Sequence, residues 1–459
     1  MDDASPDVLS LPAEPPFRLR AWVLSPLDGG GFLDERDGVV DVDETGRIAW
    51  VGSASAAKER PTSAPVVDVR PLLALPGLID IHGHLPQLPI AATGFGVRIM
   101  DWLPQVMHPV ERGFDREASE RRSPQYLRLL AASGTTLSVL YGSVDAGAMD
   151  AAFAAAEAHG MRVIMGQALM DRGRYDDAIP DDQVTDVRLQ EAADTCARWN
   201  GAADGRLRYA FTPRWGYHCS REMMAESARL AREADTWWQT HISEDWAEPE
   251  AVPKEFPEAL DFLDVYDRAG GLGPRAILAH AVHLNDREID RIRETGSVVA
   301  HNPACNVFLG GGMMRLALYR ERGLRVGLGT DVGGGFTYSL FDAMQYGATT
   351  QNARSVLLRD AEADLRGRLA ALDWLRLVSL ENARCLGLED RIGSLESGKD
   401  ADLVLVDPLV AAPVPDHWIT EEASAETVVS WLMFRSRGDM VRASWVRGRR
   451  LPGPAGWDR

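Results

Sequence analysis

Between residues 77 and 330 the chain alternates eight short β-rich runs with stretches of helical periodicity, and this alternation restricts the fold more than any other feature. The runs are GLIDIH near 77, TTLSVLY near 135, RVIMGQA near 162, LRYAFTP near 207, TWWQTH near 236, AILAHA near 276, SVVAH near 297 and RVGLGT near 325. Segments such as SREMMAESARLAREA lie between them, with Met223 and Leu230, and Met224 and Ala231, recurring at helical spacing as core faces. Strand–helix alternation builds parallel sheets. Eight such units over ~300 residues predict an α/β fold of the (β/α)8, TIM-barrel type across residues 76–389.

The two ends read differently. Residues 17–75 hold LRAWVLS, GVVDVDETGRIAWVG and VVDVR, short strands joined by Gly and Asp turns. Residues 391–459 hold RIGSLESGKDADLVLVD, AETVVSWLMFRS and ASWVRGRRL in the same style. Residues 1–75 and 390–459 are therefore expected to pair into one small β-sandwich domain, with residues 1–15 as a loose arm.

Charge and cysteine usage remove several function classes. A formal net charge of -19 repels nucleic-acid backbones and anionic lipid, so neither is an expected partner. Cys196, Cys219, Cys305 and Cys385 are far apart and form no C-x-x-C pair, which argues against a thiolate zinc cluster or a disulfide framework. No apolar stretch approaches the ~20 residues that span a bilayer, and the acidic, Pro-rich start MDDASPDVLSLPAEPP lacks the basic opening of a secretory signal. The expectation is a soluble, cytoplasmic protein.

Barrel enzymes carry their chemistry at the C-terminal ends of the strands. His82 and His84 end the first candidate strand, His241 the fifth, His280 the sixth and Asp331 the eighth. On a strand, residues i and i+2 share a face, so His82 and His84 aim two imidazoles at one point. Core packing does not explain so many metal-binding side chains at strand ends, and nitrogen-plus-carboxylate ligation favours zinc or iron over calcium or magnesium. A mononuclear site is expected from His82, His84, His241 and Asp331, with one position left for a water whose pKa the metal lowers to about 7. Glu244, three residues after His241 in QTHISED, suits a proton shuttle. His280 is placed to hydrogen-bond the attacking oxygen or stabilise a developing oxyanion, and Asp331 to accept the water's other proton.

Together these motifs resemble the amidohydrolase superfamily, over nearly the whole chain. Binuclear members bridge two metals with a carbamylated lysine, but the only lysines are Lys58, Lys254 and Lys399, none between His84 and His241. The resemblance is therefore to the mononuclear aminohydrolase branch, which deaminates heterocycles. Within that branch the segments PGLIDIHGHLPQ, WLPQVMHPVERGF, FTPRWGYHCS, THISED, AHNPACNVFLGGGM and GLGTDVGGGFTYSLFDAM resemble the guanine deaminases. That resemblance implies hydrolysis of guanine to xanthine and ammonia, one zinc ion per chain with ferrous iron as the alternative, and a homodimer. It also implies that Gln87 and Arg214 contact the purine and that Trp215, where phenylalanine is usual, stacks on it. A glutamine offers a donor and an acceptor to a ring edge, and an arginine a fork of donors to a carbonyl. Departures at Tyr217, His218 and Cys305 leave other substrates of the same chemistry open, such as a pterin, a modified purine or a triazine, including a chlorohydrolase activity. A non-catalytic barrel scaffold is the reading from another class, and it conflicts with the presence of every ligand and of Glu244.

Overall fold

Every one of the eight β-rich runs is a strand. The computed structural model describes residues 11–176, 179–357, 368–414, 416 and 422–453. The chain begins with β1 (Phe17–Pro26), β2 (Phe32–Val42), β3 (Ile48–Ser53) and β4 (Val66–Pro76). Next come β5 (Leu78–His84), β6 (Thr135–Tyr141), β7 (Arg162–Gly166) and a two-residue β8 (Ala168–Leu169). They are followed by β9 (Leu207–Pro213), β10 (Trp237–Ile242), β11 (Ala276–His280), β12 (Val298–His301) and β13 (Arg325–Leu328). Last are β14 (Leu403–Val406), β15 (Val441–Val446) and β16 (Arg449–Arg450).

Strands β5, β6, β7, β9, β10, β11, β12 and β13 neighbour one another in that order, all parallel, with β8 as an extra pairing on β9. Closure between the first and last is made just beyond β13, where the Asp331 N–H donates to the His82 carbonyl at 2.9 Å and the Thr330 hydroxyl to Asp80 at 2.7 Å. The result is a nearly closed eight-stranded barrel. Positions in β5, β6, β7, β11 and β12 are buried throughout, as expected for parallel strands covered on both faces. Among the intervening helices, Arg221–Glu233 buries Met223, Met224, Ala228 and Ala231, the spacing read from the sequence.

One irregularity in β5 matters for the site. Ile79 and Ile81 pack in one core cluster with Leu137 and Val139 of β6. His82 and His84 also meet that face of β6, with ring centroids 5.1 and 4.8 Å from Tyr141. Strict alternation forbids both. The pairing of β5 with β6 shifts register between Asp80 and Gly83, and a bulge of this kind re-aims the side chains beyond it.

The remaining strands form one seven-stranded mixed sheet in the order β16-β15-β14-β4-β1-β2-β3, in which the β14–β4 pairing joins the two ends of the chain. Side chains alternate in β1 as period 2 requires. Leu19, Ala21 and Val23 enter a core of the sheet's own with Leu403, Leu405 and Trp445, whereas Trp22 and Leu24 join the barrel's core with Leu75 and Val404.

Two sequence expectations need correction here. AETVVSWLMF is not a strand but the helix Ala425–Phe434, capped by Ser424, whose hydroxyl accepts from the Thr427 N–H at 3.2 Å. Its apolar positions Ala425, Val428, Val429, Leu432 and Met433 follow helical rather than alternating spacing, and they are the ones buried. Of the arm expected over residues 1–15, residues 1–10 lie outside the described residues, but Leu11 is buried in the sheet core. The Pro12 and Ala13 carbonyls accept from the Trp445 indole and the Arg450 N–H, so this stretch is tied to the sheet.

Candidate metal centre

The ends of β5 and β10 and the turn after β13 bring His82, His84, His241 and Asp331 together. His82 Nε2 and His84 Nε2 lie 3.1 and 3.3 Å from Asp331 Oδ1, and His84 Nε2 lies 3.2 Å from His241 Nε2. Ligand atoms of the three histidines fall within 4.8 Å of one another. His241 donates Nδ1–H to the Arg214 carbonyl at 2.6 Å, which leaves its Nε2 lone pair facing the group. Both ring nitrogens of His82, and Asp331 Oδ1, are buried without an aligned hydrogen-bond partner. Buried polar atoms are almost always satisfied, and a divalent cation among these atoms is what satisfies this set. Burial pushes His84 down to about 4 and His82 and His241 below the usual histidine range, so the neutral, ligating imidazole is the form present at neutral pH. Burial alone would raise Asp331, but His82 and the histidines around it hold its carboxyl well below the usual carboxylate range.

Glu244 and His280 stand on the other side of Asp331. His280 Nε2 is 3.4 Å from Glu244 Oε2 and 3.7 Å from Asp331 Oδ2, while its Nδ1–H donates to Asn306 Oδ1 at 2.8 Å. The Cys305 thiol donates to Glu244 Oε1 at 3.6 Å. Burial, and then the charge of Asp331, push the Glu244 carboxyl well above the usual range. Ser243, His280, Ala281 and Asp331 all have positive φ, between 48° and 73°, which non-glycine residues seldom adopt. Such strain concentrates where side-chain placement matters more than backbone comfort.

These groups border an open cavity whose wall includes Gln87, Trp102, Arg214, Trp215 and His218. Trp215 is 6% exposed and its indole donates to Glu248 Oε2 at 2.9 Å, which fixes the ring against the cavity. The substrate-contact residues expected from the sequence thus share one cavity with His84, His241 and Asp331.

A family model described as the amidohydrolase family matches residues 73–451. The chain belongs to the amidohydrolase family. The Escherichia coli guanine deaminase is 34% identical over 419 residues, covering 90% of each chain. The crystal structure of guanine deaminase from Bradyrhizobium japonicum superposes with a TM-score of 0.87 at 27% identity, covering 95% of this chain and 98% of the other. An adenosine deaminase structure from Xanthomonas campestris with bound zinc gives a TM-score of 0.79 at 25% identity, covering 96% and 93%. The chain is a metal-dependent, guanine deaminase-like amidohydrolase. No helix among the described residues is long and apolar enough to cross a membrane.

Two buried carboxylates of this amidohydrolase escaped the sequence reading. Glu111 accepts from Gln87, Tyr175 and Arg214 behind the cavity, and Glu248 accepts from the Glu244 and Asp245 N–H groups as well as from Trp215. Glu248 stands in the acidic run SEDWAEPE, where nothing separates it from a solvated neighbour. Glu111 sits in the quoted segment WLPQVMHPVERGF, but only the fold reveals its partners, 24, 64 and 103 residues away.

Proposed function

We propose that this amidohydrolase deaminates guanine hydrolytically to xanthine and ammonia, with one zinc ion held by His82, His84, His241 and Asp331; ferrous iron suits the same donors. The observation that carries this reading is the cavity whose wall holds His84, His241, His280, Asp331 and Glu244 together with Gln87 and Arg214, with His82 buried behind Asp331. The similarity to guanine deaminases over 90% of the chain supports it. When bound, a divalent ion of this kind lowers the pKa of a coordinated water to near 7 and so supplies a nucleophile at neutral pH.

The chain's own residues do the rest. Glu244, buried and with its carboxyl held upward in pKa, takes the proton released by the water and returns it to the exocyclic nitrogen, which leaves as ammonia. The Cys305 thiol at Oε1 leaves Oε2 on the reacting side, towards His280. His280, with Nδ1–H committed to Asn306, keeps Nε2 for the oxygen that adds to the ring. Asp331, ionised among histidines, accepts the second proton, which passes to the ring nitrogen beside the attacked carbon and leaves Asp331 ionised again. Gln87 and Arg214 hold the ring edge, and the Trp215 indole plane walls the heterocycle.

One observation favours comparing other rings. His218 lines the cavity with its Nδ1 buried and unpartnered, a hydrogen-bonding group that guanine need not use. Ammonia release across guanine, other aminopurines, pterins and aminotriazines tests the assignment. Guanine is expected to be turned over with the highest kcat/KM, whereas an inert guanine beside another active ring would overturn it.

A further inference from the structure

Glu111 has no part in the chemistry above, yet it is 1% exposed and collects side-chain donors from three separate segments. Its Oε1 accepts from Gln87 Nε2 at 2.6 Å, and its Oε2 accepts from the Tyr175 hydroxyl at 2.6 Å and from Arg214 Nη1 at 2.7 Å. Gln87 and Arg214 line the cavity, and Glu111 stands behind them. Burial opposes ionisation of Glu111 most, but Arg214, His84 and the hydrogen bonds from Tyr175 and Gln87 together outweigh it and hold the carboxyl below the usual range.

An ionised carboxylate only accepts hydrogen bonds, so Gln87 must turn its amide nitrogen towards Glu111. Its carbonyl Oε1 is then left for the cavity. That oxygen lies beside Gly333, where φ is +120° and a Cβ would stand 2.5 Å from it. Glycine at 333 therefore makes the space for this orientation. No described residue donates to Gln87 Oε1. Arg214, 3% exposed, has its charge matched by Glu111, so the cavity does not pull on phosphates or carboxylates as an unpaired buried cation would. Its Nε and Nη2 make no hydrogen bond with a described residue and serve as donors.

We propose that Glu111 is a positioning residue that sets the polarity of substrate recognition, presenting Gln87 as an acceptor beside Arg214 as a donor to an uncharged ring –NH–C(=O)– edge. This rests on the guanine deamination proposed above and narrows the substrate class to amino-substituted heterocycles with a neutral lactam edge. A ring with the edge reversed, such as 2,6-diaminopurine, sets a ring-nitrogen acceptor against Gln87 Oε1 and an amino donor against Arg214. Mismatched buried polar groups of this kind discriminate strongly.

The test is steady-state kinetics on guanine and 2,6-diaminopurine with the wild type, Glu111→Gln and Tyr175→Phe, with zinc content measured for each. In Glu111→Gln the neighbouring amide either accepts or donates, so Gln87 is free to turn and Arg214 loses its countercharge. The KM for guanine is expected to rise by about tenfold or more and the kcat/KM preference for guanine to fall by a similar factor, with kcat changing less and zinc retained. Tyr175→Phe keeps the charge and removes one donor, so it is expected to shift both quantities in the same sense by about two- to fivefold. A preference unchanged in both variants, with guanine still consumed, overturns the role of Glu111 and leaves guanine deamination standing. If Glu111→Gln does not fold, unchanged KM and preference in Tyr175→Phe overturn it equally. A wild type that leaves guanine untouched while another ring turns over defeats the proposed activity and this inference with it.

Discussion

His84 Nε2 and His241 Nε2 lie 3.2 Å apart although 157 residues separate them in the chain. The His241 Nδ1–H is committed to the Arg214 carbonyl, so its Nε2 offers a lone pair. Burial keeps His84 neutral, with a pKa of about 4. Two neutral imidazoles this close, beside a carboxylate oxygen with no aligned donor, are held together best by a cation.

Removing that cation is therefore expected to cost stability as well as activity. Chelation should abolish deamination and lower the Tm, and zinc should restore both. Zinc at about 100 times its dissociation constant adds about 2.7 kcal/mol to the folded state. Differential scanning calorimetry with and without chelator reads this directly, and an unchanged Tm would show that the histidines need no ion to stay together.

Glu244→Gln keeps the size of the side chain and removes its ability to carry a proton. Metal content should be unchanged and kcat should fall by about a thousandfold, the middle of the range for general acid–base groups. Stopped-assay turnover together with elemental analysis checks the pair, and near-normal turnover with metal present would remove Glu244 from the proton path.

Much of this candidate site was legible in the sequence because the candidate ligands sit at or next to the ends of apolar runs that a parallel barrel explains. The positions of His82, His84, His241 and Asp331 followed from strand counting alone. What the sequence hid is conformational and long-range. Nothing in the composition around Ser243, His280 or Asp331 signals a left-handed backbone, because none is a glycine. The bulge in β5 that lets Ile81 and His82 serve the same face has one residue signature, Gly83 inside the strand, but a lone glycine does not say which side chains it re-aims. Glu111 reads as one more helix carboxylate until Gln87, Tyr175 and Arg214 are folded onto it. The helix Ala425–Phe434 was misread because its β-branched pair Val428 and Val429 resembles a strand, whereas the Ser424 cap and the wider apolar spacing decide for helix.

Gly329 supports the metal centre from behind. A Cβ there would lie 2.6 Å from Asn302 Oδ1 and 2.8 Å from His82 Cβ, both closer than real contacts allow, and 3.0 Å from the His82 nitrogen. Gly329→Ala is thus expected to displace His82 and lower zinc occupancy and activity together, read by elemental analysis of the purified variant. Full zinc occupancy would show that β5 yields without disturbing the ligand.

Acid sensitivity should trace in part to His159, which is not among the candidate ligands. This side chain is 8% exposed, its Nε2–H donates to the Pro452 carbonyl at 3.0 Å, and burial pushes its pKa down to about 4. The unfolded chain takes up a proton near pH 6.5 while the folded chain does not. Stability is therefore complete above that pH and declines by about 1.4 kcal/mol per pH unit as pH falls towards 4. His159→Gln retains a donor for Pro452 without the titration. Urea melts at pH 7 and pH 5 should show a loss about 2 kcal/mol smaller in the variant than in the wild type, and equal losses would place the sensitivity elsewhere.

The placement of the ion can be tested without any assay of turnover. Crystals of the zinc-supplemented protein, measured on both sides of the zinc absorption edge, should give one anomalous peak per chain within about 2.0–2.2 Å of His82, His84 and His241 nitrogens and an Asp331 oxygen. A peak bonded to other residues, or none at that position, would contradict the mononuclear centre on which the proposed deamination depends.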